Sequence, residues 1–177
     1  MKIKYILLFI LICACLTFLS CGYEFGKTKG EIDGDFKFYL LEDGTYAIAA
    51  AYPEDCPEVI KIPTHYNGVP ITKIQDDGFY CCKNVLYIIV PEGIKIIPRG
   101  AFLNCPNLKR LDLPSSINEI RFASLSTNQP LTIHYNGTAA EWYKIVKYQW
   151  AHDVYHTIIC TDQTITDGQP FMYKETD

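Results

Sequence analysis

The chain of 177 residues lacks the signatures of most chemistries. It holds 16 Lys and Arg against 20 Asp and Glu, with no basic run and no basic face, which excludes a phosphate-tracking surface for nucleic acid. No pair of CxxC motifs is present, so a structural zinc site has no ligand set. His152 and His156 stand four apart without the glutamate of an HExxH helix. Asp76-Asp77-Gly78 lacks the remaining ligands of a calcium loop and fits a turn. No signature of a Cys–His hydrolase surrounds Cys81, Cys82 or Cys160, or the histidines His65, His134, His152 and His156. There is one long apolar run, Tyr5 to Leu19, and it is too short for a comfortable membrane span.

That run is the core of a secretion leader. Lys2 and Lys4 precede it, and the small Ser20 stands before Cys21. Leu19-Ser20-Cys21-Gly22 resembles the lipobox of bacterial lipoproteins. The resemblance implies that residues 1–20 are removed and that Cys21 is acylated, anchoring the chain to a membrane. Phe18 and Leu19 depart from the usual lipobox residues, and Ile12-Cys13-Ala14-Cys15 is a competing match. Stable anchoring takes two acyl chains or more. Residues 21–35 carry Gly22, Gly26, Gly30 and Gly34 among charged residues, the composition of a flexible tether. Loss of Lys2 and Lys4 takes the formal charge from −4 to −6.

The strongest positive feature is a period of 23. Ile74, Ile97 and Ile120 keep that step, as do Phe79 and Phe102, Cys82 and Cys105, Asn84 and Asn107, and Pro91 and Pro114. A fixed period in the twenties marks a solenoid, in which each repeat is one turn of a coil. Val85-x-x-Ile88-x-Val90 and Leu108-x-x-Leu111-x-Leu113 carry the apolar spacing of leucine-rich repeats, each strand ending at proline. Ile60-Lys61-Ile62-Pro63 opens an earlier turn. From Pro63 to Pro91 is 28 residues, so that turn holds an insertion of five, placed in Thr64 to Pro70, where Tyr66-Asn67-Gly68-Val69-Pro70 has turn chemistry. Asn128 takes the cysteine place of the third turn, and the register slips beyond it.

Three phrases resemble the BspA-type leucine-rich repeats of bacterial surface proteins. They are Val90-Pro91-Glu92-Gly93-Ile94, the run Gly100 to Leu108 (GAFLNCPNL) and Leu113-Pro114-Ser115-Ser116-Ile117. Ile133 to Thr138 (IHYNGT) with Glu141-Trp142 is similar to a common ending of that family. Gly78-Phe79 and Ala123 to Leu125 depart from the pattern. The expected fold is a short α/β solenoid, mostly β, over residues 36–165, followed by a polar tail over 166–177.

Both ends of the coil read as caps. Phe36 to Tyr52 forms two apolar strands around Asp43-Gly44, a hairpin that shields the first turn. At the other end Thr138 and Glu141 make a capping box for a helix over 139–149, with Trp142, Ile145 and Val146 on one face. Trp142 and Trp150 fit core lids better than a binding platform. Val154 to Cys160 is the last strand, and the polar stretch begins at Thr161.

Eight cysteines do not make a disulfide framework. Cys13 and Cys15 leave with the leader and Cys21 takes lipid, so an odd five remain: Cys56, Cys81, Cys82, Cys105 and Cys160. Repeat position favours small buried thiols. A bond between Cys82 and Cys105 stays geometrically open, and Cys81 receives no role.

With the leucines of a strand inward, alternate residues face out. Arg110 and Asp112, Tyr87 and Ile89, and Val59 and Lys61 then line up as a strip. Lys61, Tyr87, Ile89, Arg110 and Asp112 are the candidate partner-binding residues, with aromatic and Arg side chains the usual anchors. Each taken singly fits an ordinary sheet-surface residue better, and it is the strip as a whole that favours binding. Asn136-Gly137-Thr138 fits a glycosylation sequon, a chance match in a bacterial lipoprotein.

The resemblance implies a non-catalytic protein-binding module without cofactor or small-molecule substrate. It implies adhesion to host matrix proteins, host cells or other bacteria. An envelope scaffold that faces the periplasm and binds a sister protein has the same sequence features. An enzyme is the third reading, and it requires a thiolate titrating well below the usual cysteine range.

Overall fold

Short β-branched runs that stop at proline or a turn residue build walls one strand wide, and stacked walls make a coil. A computed structural model describes residues 29–127, 129–145 and 156–166. Strands β1 (Glu31–Asp33), β2 (Phe36–Leu40) and β3 (Tyr46–Ala50) come first. A 3-10 turn at Pro53–Asp55 leads to β4 (Val59–Lys61), β5 (His65–Tyr66) and β6 (Val69–Ile74). Strands β7 (Tyr87–Ile89), β8 (Ile96–Ile97), β9 (Arg110–Leu113) and β10 (Glu119–Ile120) belong to the regular turns. Then follow β11 (Thr132–Tyr135), helix α1 (Ala139–Ile145), β12 (Thr157–Ile159) and β13 (Thr164–Thr166).

The principal sheet has the order β13-β12-β11-β9-β7-β4, parallel from β4 to β12, with β13 antiparallel at the edge. Val59, Tyr87, Arg110, Thr132 and Thr157 stand side by side in it, so successive turns take 28, 23, 22 and 25 residues. Ile60, Ile88, Leu111, Ile133 and Ile158 point inward from its centre and are buried. A second wall stacks Ile48 beside Ile74, and Ile97 beside Ile120.

A third wall has no strands but repeats just as strictly. Phe79 N–H donates to Ala101 O at 2.9 Å, Cys81 N–H to Leu103 O at 3.1 Å, and Phe102 N–H to Ser124 O at 3.0 Å. Asp77, Gly100 and Ala123, 23 apart, share left-handed φ values of 55°, 62° and 57°. Phe79 and Phe102 stack inside it with ring centroids 5.9 Å apart. The recurring Asn acquires a role here: Asn84 Nδ2 donates to Glu54 O at 3.2 Å and Asn107 Nδ2 to Lys83 O at 2.7 Å. Each amide satisfies a carbonyl of the preceding turn, which water would otherwise have to reach.

The insertion is the hairpin β5–β6, turned at Asn67 and Gly68 with φ of 50° and 78°. Two positive φ values are what a two-residue hairpin turn demands. Phe38 of the N-terminal cap stacks on Tyr66 of that hairpin at 3.8 Å, and Tyr46 meets Tyr66 edge-on at 5.2 Å. The cap hairpin β2–β3 is antiparallel, and β3 continues the second wall by pairing parallel with β6.

Two boundaries differ from the sequence expectation. The expected tether over 21–35 includes Glu31–Asp33, which instead forms a strand paired antiparallel with β2. The two-residue connection Gly34-Asp35, with Gly34 at φ 57°, closes that hairpin. Similarly, the polar stretch from Thr161 contains β13, whose alternation buries Ile165 between two exposed threonines. A single inward isoleucine in a three-residue strand leaves little periodic signal. Helix α1 carries its capping box: Thr138 N–H and Oγ1 both reach Glu141 Oε2, at 2.8 and 2.9 Å, and Glu141 N–H donates back to Thr138 Oγ1 at 3.3 Å. Trp142 and Ile145 lie buried on the last turn. The expected leader over 1–20, Cys21, Asn128, Val146, Trp150, His152 and the expected tail beyond Thr166 lie outside the described residues.

All five cysteines of the described residues are free thiols; four are buried and Cys81 is half-buried. Cys105 Sγ donates to Phe79 O at 3.1 Å and Cys56 Sγ to Pro53 O at 3.3 Å, so they work as small core residues with one polar contact. The hydrogen bond to Cys105, followed by burial, pushes the Cys82 thiol far above its ordinary range, while the same hydrogen bond lowers that of Cys105 against the upward effect of burial. Cys81, at φ 59°, accepts a hydrogen bond from Asn104 Nδ2 at 2.9 Å.

Candidate interaction face

The pleat of the principal sheet sends alternate side chains outward in two continuous rows. One row runs Val59, Tyr87, Arg110, Thr132, Thr157, Thr166. The other runs Lys61, Ile89, Asp112, His134, Ile159, Thr164. Every residue of the expected strip therefore stands where the alternation puts it. Val59 and Tyr87 are 50% and 42% exposed and adjacent, which gives the face an apolar end beside its first edge. Lys61 is exposed, and Ile89 and Asp112 are half-buried.

Arg110 is less free than an exposed arginine would suggest. Its Nε donates to Asp112 Oδ1 at 2.6 Å and its Nη2 to Asp112 Oδ2 at 2.9 Å, a bidentate pair within one strand. The two charges cancel locally, and an exposed pair of this kind contributes about 0–1 kcal/mol to stability. Its effect is on shape: the guanidinium lies flat along the strand rather than reaching outward. Sequence spacing placed both residues on one face without revealing that they bind each other.

The far half of the face was not foreseen. Thr132, His134, Thr157 and Ile159 continue both rows, but the steps of 22 and 25 residues broke the regular count. The alternation in Thr132-Ile133-His134-Tyr135 was the available signal. Where these strands end, Asp112, His134, Asn136, Ile159, Cys160 and Thr161 line a shallow depression of about 300 Å³, floored by Leu113 and Tyr135.

This depression brings Cys160 and His134 to the same place, the geometry a Cys–His nucleophile would start from. The chemistry runs the other way. Burial, followed by the charge of Asp162, pushes the Cys160 thiol upward, and no hydrogen bond joins the sulfur to the imidazole. A nucleophilic cysteine needs the opposite shift. His156 is likewise committed elsewhere: it is buried, and its Nδ1 accepts the Leu131 N–H at 3.2 Å. Among the described residues no three His, Cys, Asp or Glu side chains converge as a metal site. Nor is any helix there long and apolar enough to cross a membrane.

Comparison with curated proteins and with solved structures gives no significant match. A family model does match: that of the BspA type leucine rich repeat region, in six copies across residues 54–144. The matched stretch begins at the 3-10 turn before β4 and ends in α1, so it spans the stacked turns and both rows up to β11. Repeat phrases, coil geometry and family match agree, and the chain belongs to the BspA type leucine-rich repeat family.

Proposed function

We propose that this protein is a non-catalytic, adhesin-like lipoprotein that contacts host or bacterial proteins through the outward face of its principal sheet. Leucine-rich repeats generally mediate protein–protein interaction. The observation that carries the reading further is the apolar end of the face, where Val59 and Tyr87 stand side by side and half-exposed on a rigid parallel sheet. Such a surface is preorganised, so a partner that docks on it loses little free energy to ordering of the coil. The expected leader and Cys21 support a chain held at a membrane by lipid, and they fit a surface-exposed and a periplasm-facing placement alike. A face of so few turns offers a small footprint, so single contacts are weak and many copies acting together give the avidity of an adhesin.

The test is binding of the protein to a panel of host matrix proteins and intact cells, beside a variant carrying Tyr87→Ala and Arg110→Ala. Saturable binding that the variant weakens by about 30-fold or more, the scale of one lost hot spot, supports the face. Binding that survives the variant refutes the choice of face. Protease digestion of intact cells that leaves the chain uncut refutes surface exposure and moves the reading to a periplasm-facing scaffold.

A further inference from the structure

We propose that Cys82 and Cys105 are the two halves of a disulfide that staples neighbouring turns of the coil, formed by exchange with a disulfide oxidant. The inference goes beyond the binding reading; only its occurrence in the cell rests on the export which that reading includes.

Hydrogen bonds bracket the pair on both sides. Before it, Cys81 N–H donates to Leu103 O at 3.1 Å, and Asn104 Nδ2 donates to Cys81 Sγ at 2.9 Å. After it, Asn107 Nδ2 donates to Lys83 O at 2.7 Å. Cys82 and Cys105 lie between these rungs, at one place in successive turns, so their Cβ atoms leave the backbone side by side. Rungs joined in this way stand about 4.8 Å apart. A disulfide joins Cα atoms about 4.4–6.8 Å apart. Both thiols belong to the same core, at 0% and 1% exposure. Cys105 Sγ reaches back to Phe79 O of the preceding turn at 3.1 Å, and the two cysteine side chains hydrogen-bond to each other.

The neighbouring thiols do not match this arrangement. Cys56 Sγ and the Lys83 N–H share the Pro53 carbonyl, at 3.3 and 3.2 Å, which brings Cys56 near Cys82. That rung, however, joins Lys83 to Pro53, three residues before Cys56 and across a 3-10 turn, so Cys56 and Cys82 are out of register. Cys81 is half-buried, with its sulfur held by Asn104. Cys160 follows β12, at the other end of the coil.

The exchange balances in two steps. The Cys105 thiolate attacks one sulfur of the oxidant disulfide, forms a mixed disulfide and expels the other sulfur as a thiolate. Cys82 then loses its proton, attacks the Cys105 sulfur and expels the second thiolate. Two cysteine thiols are oxidised to one disulfide, the oxidant disulfide is reduced to two thiols, and the two cysteine protons end on those thiols. The local cost is the S–H bond to Phe79 O, a weak one. Both sulfurs are closed off in the folded core, so the oxidant must reach them before the turns close. A chain that folds after export meets that order of events in an oxidising compartment. The closed loop holds Tyr87 and Ile89, so the staple would act on the turn that carries the apolar end of the face.

The experiment uses the full chain in mild detergent, carrying Cys81→Ala so that Cys82 is the only cysteine of the tryptic peptide Ile74–Lys83. The protein is refolded from urea into mixtures of reduced and oxidised glutathione, the glutathione disulfide being the oxidant. Expected is a non-reduced digest in which that peptide is joined to Gly100–Lys109 and released by dithiothreitol. The linked protein should unfold at a urea midpoint about 1 M or more above that of the same protein reduced. Adding Cys105→Ala should abolish the link and the rise while leaving the circular dichroism of the reduced protein unchanged. Adding Cys56→Ala should leave both in place. Recovery of Cys82 and Cys105 as free thiols at every glutathione ratio, a link from Cys82 to Cys56, or a linked protein less stable than the reduced one would overturn the staple. None of these outcomes depends on where the chain resides or on what its face binds, so a failure here and a failure of the panel experiment are separate results.

Discussion

Acidification should loosen this coil well before its carboxylates titrate, and among the described residues His156 carries the effect. His156 is 5% exposed and hands its Nδ1 lone pair to the Leu131 N–H. Burial lowers its pKa to about 4, against about 6.5 in an unfolded chain. Above pH 6.5 the ring is neutral in both states and its contribution to stability is complete. Below that, the unfolded chain binds a proton that the folded one refuses, so stability falls with pH by about 1.4 kcal/mol per unit. The loss reaches about 2 kcal/mol at pH 5 and levels near 3 kcal/mol at pH 4. Against a typical total of about 5–15 kcal/mol, that is a large fraction. Asp43, Glu92 and Glu141 are also shifted, but downward from carboxylate values, so their contributions disappear only below about pH 4.5 and leave the window to the histidine. Urea unfolding at pH 7.5, 6.0 and 5.0 measures the slope. His156→Gln keeps a neutral side chain able to accept from Leu131 and should be nearly flat over that range, at some fixed cost. A wild-type stability that does not change between pH 7 and 5 refutes the reasoning, as does a variant that keeps the wild-type slope.

Three further substitutions probe the stacking of turns. A Cβ at Gly100 would collide with the Asp77 carboxylate, and the residue sits at φ 62°. Gly100→Ala should therefore cost at least about 1–2 kcal/mol by thermal or urea unfolding, whereas Ala123→Gly at the equivalent place should stabilise by a few tenths to about 1 kcal/mol. Phe102 is fully buried on Phe79. Phe102→Ala should cost about 3–5 kcal/mol, and a loss below 1 kcal/mol would mean that the third wall is not a packed core.

How far the sequence could be read follows from where its repetition is strict. Residues 74–125 repeat at 23, and there the strands, the inward leucines and the equivalence of Phe79 with Phe102 were legible, though the stacking of those two rings was not. The hairpin at 65–70 was legible as turn chemistry because Asn67-Gly68 needs positive φ at both positions. Beyond Ser126 the step changes to 22 and then 25, and a count tuned to 23 lost the second half of the face. Strands β1 and β13 escaped notice because each is three residues long, with Ile32 exposed in one and a lone inward Ile165 in the other. The pairing of Arg110 with Asp112 depends on rotamers, which spacing cannot supply. Cys81 shows the same limit: its half-exposed place follows from a positive φ shared with Asn104, one period on, and nothing in the residue type announces that backbone.

Irregular steps raise the question of how the two rows stay continuous when the turns differ by up to six residues. Stacking fixes only the rungs: a strand must meet its neighbour in register at the sheet, and the connecting arms absorb whatever length remains. The five extra residues of the first turn leave the principal sheet entirely, forming β5–β6, where Tyr66 packs under the cap. The longer last turn places α1 between β11 and β12, with Trp142 and Ile145 turned into the core. Both insertions stabilise an end of the coil, and neither interrupts the pairing of Lys61, Ile89, Asp112, His134 and Ile159 across five parallel strands. The face can thus change residue by residue without disturbing the walls behind it. For a family built on one coil, that separation lets recognition vary while the fold stays the same.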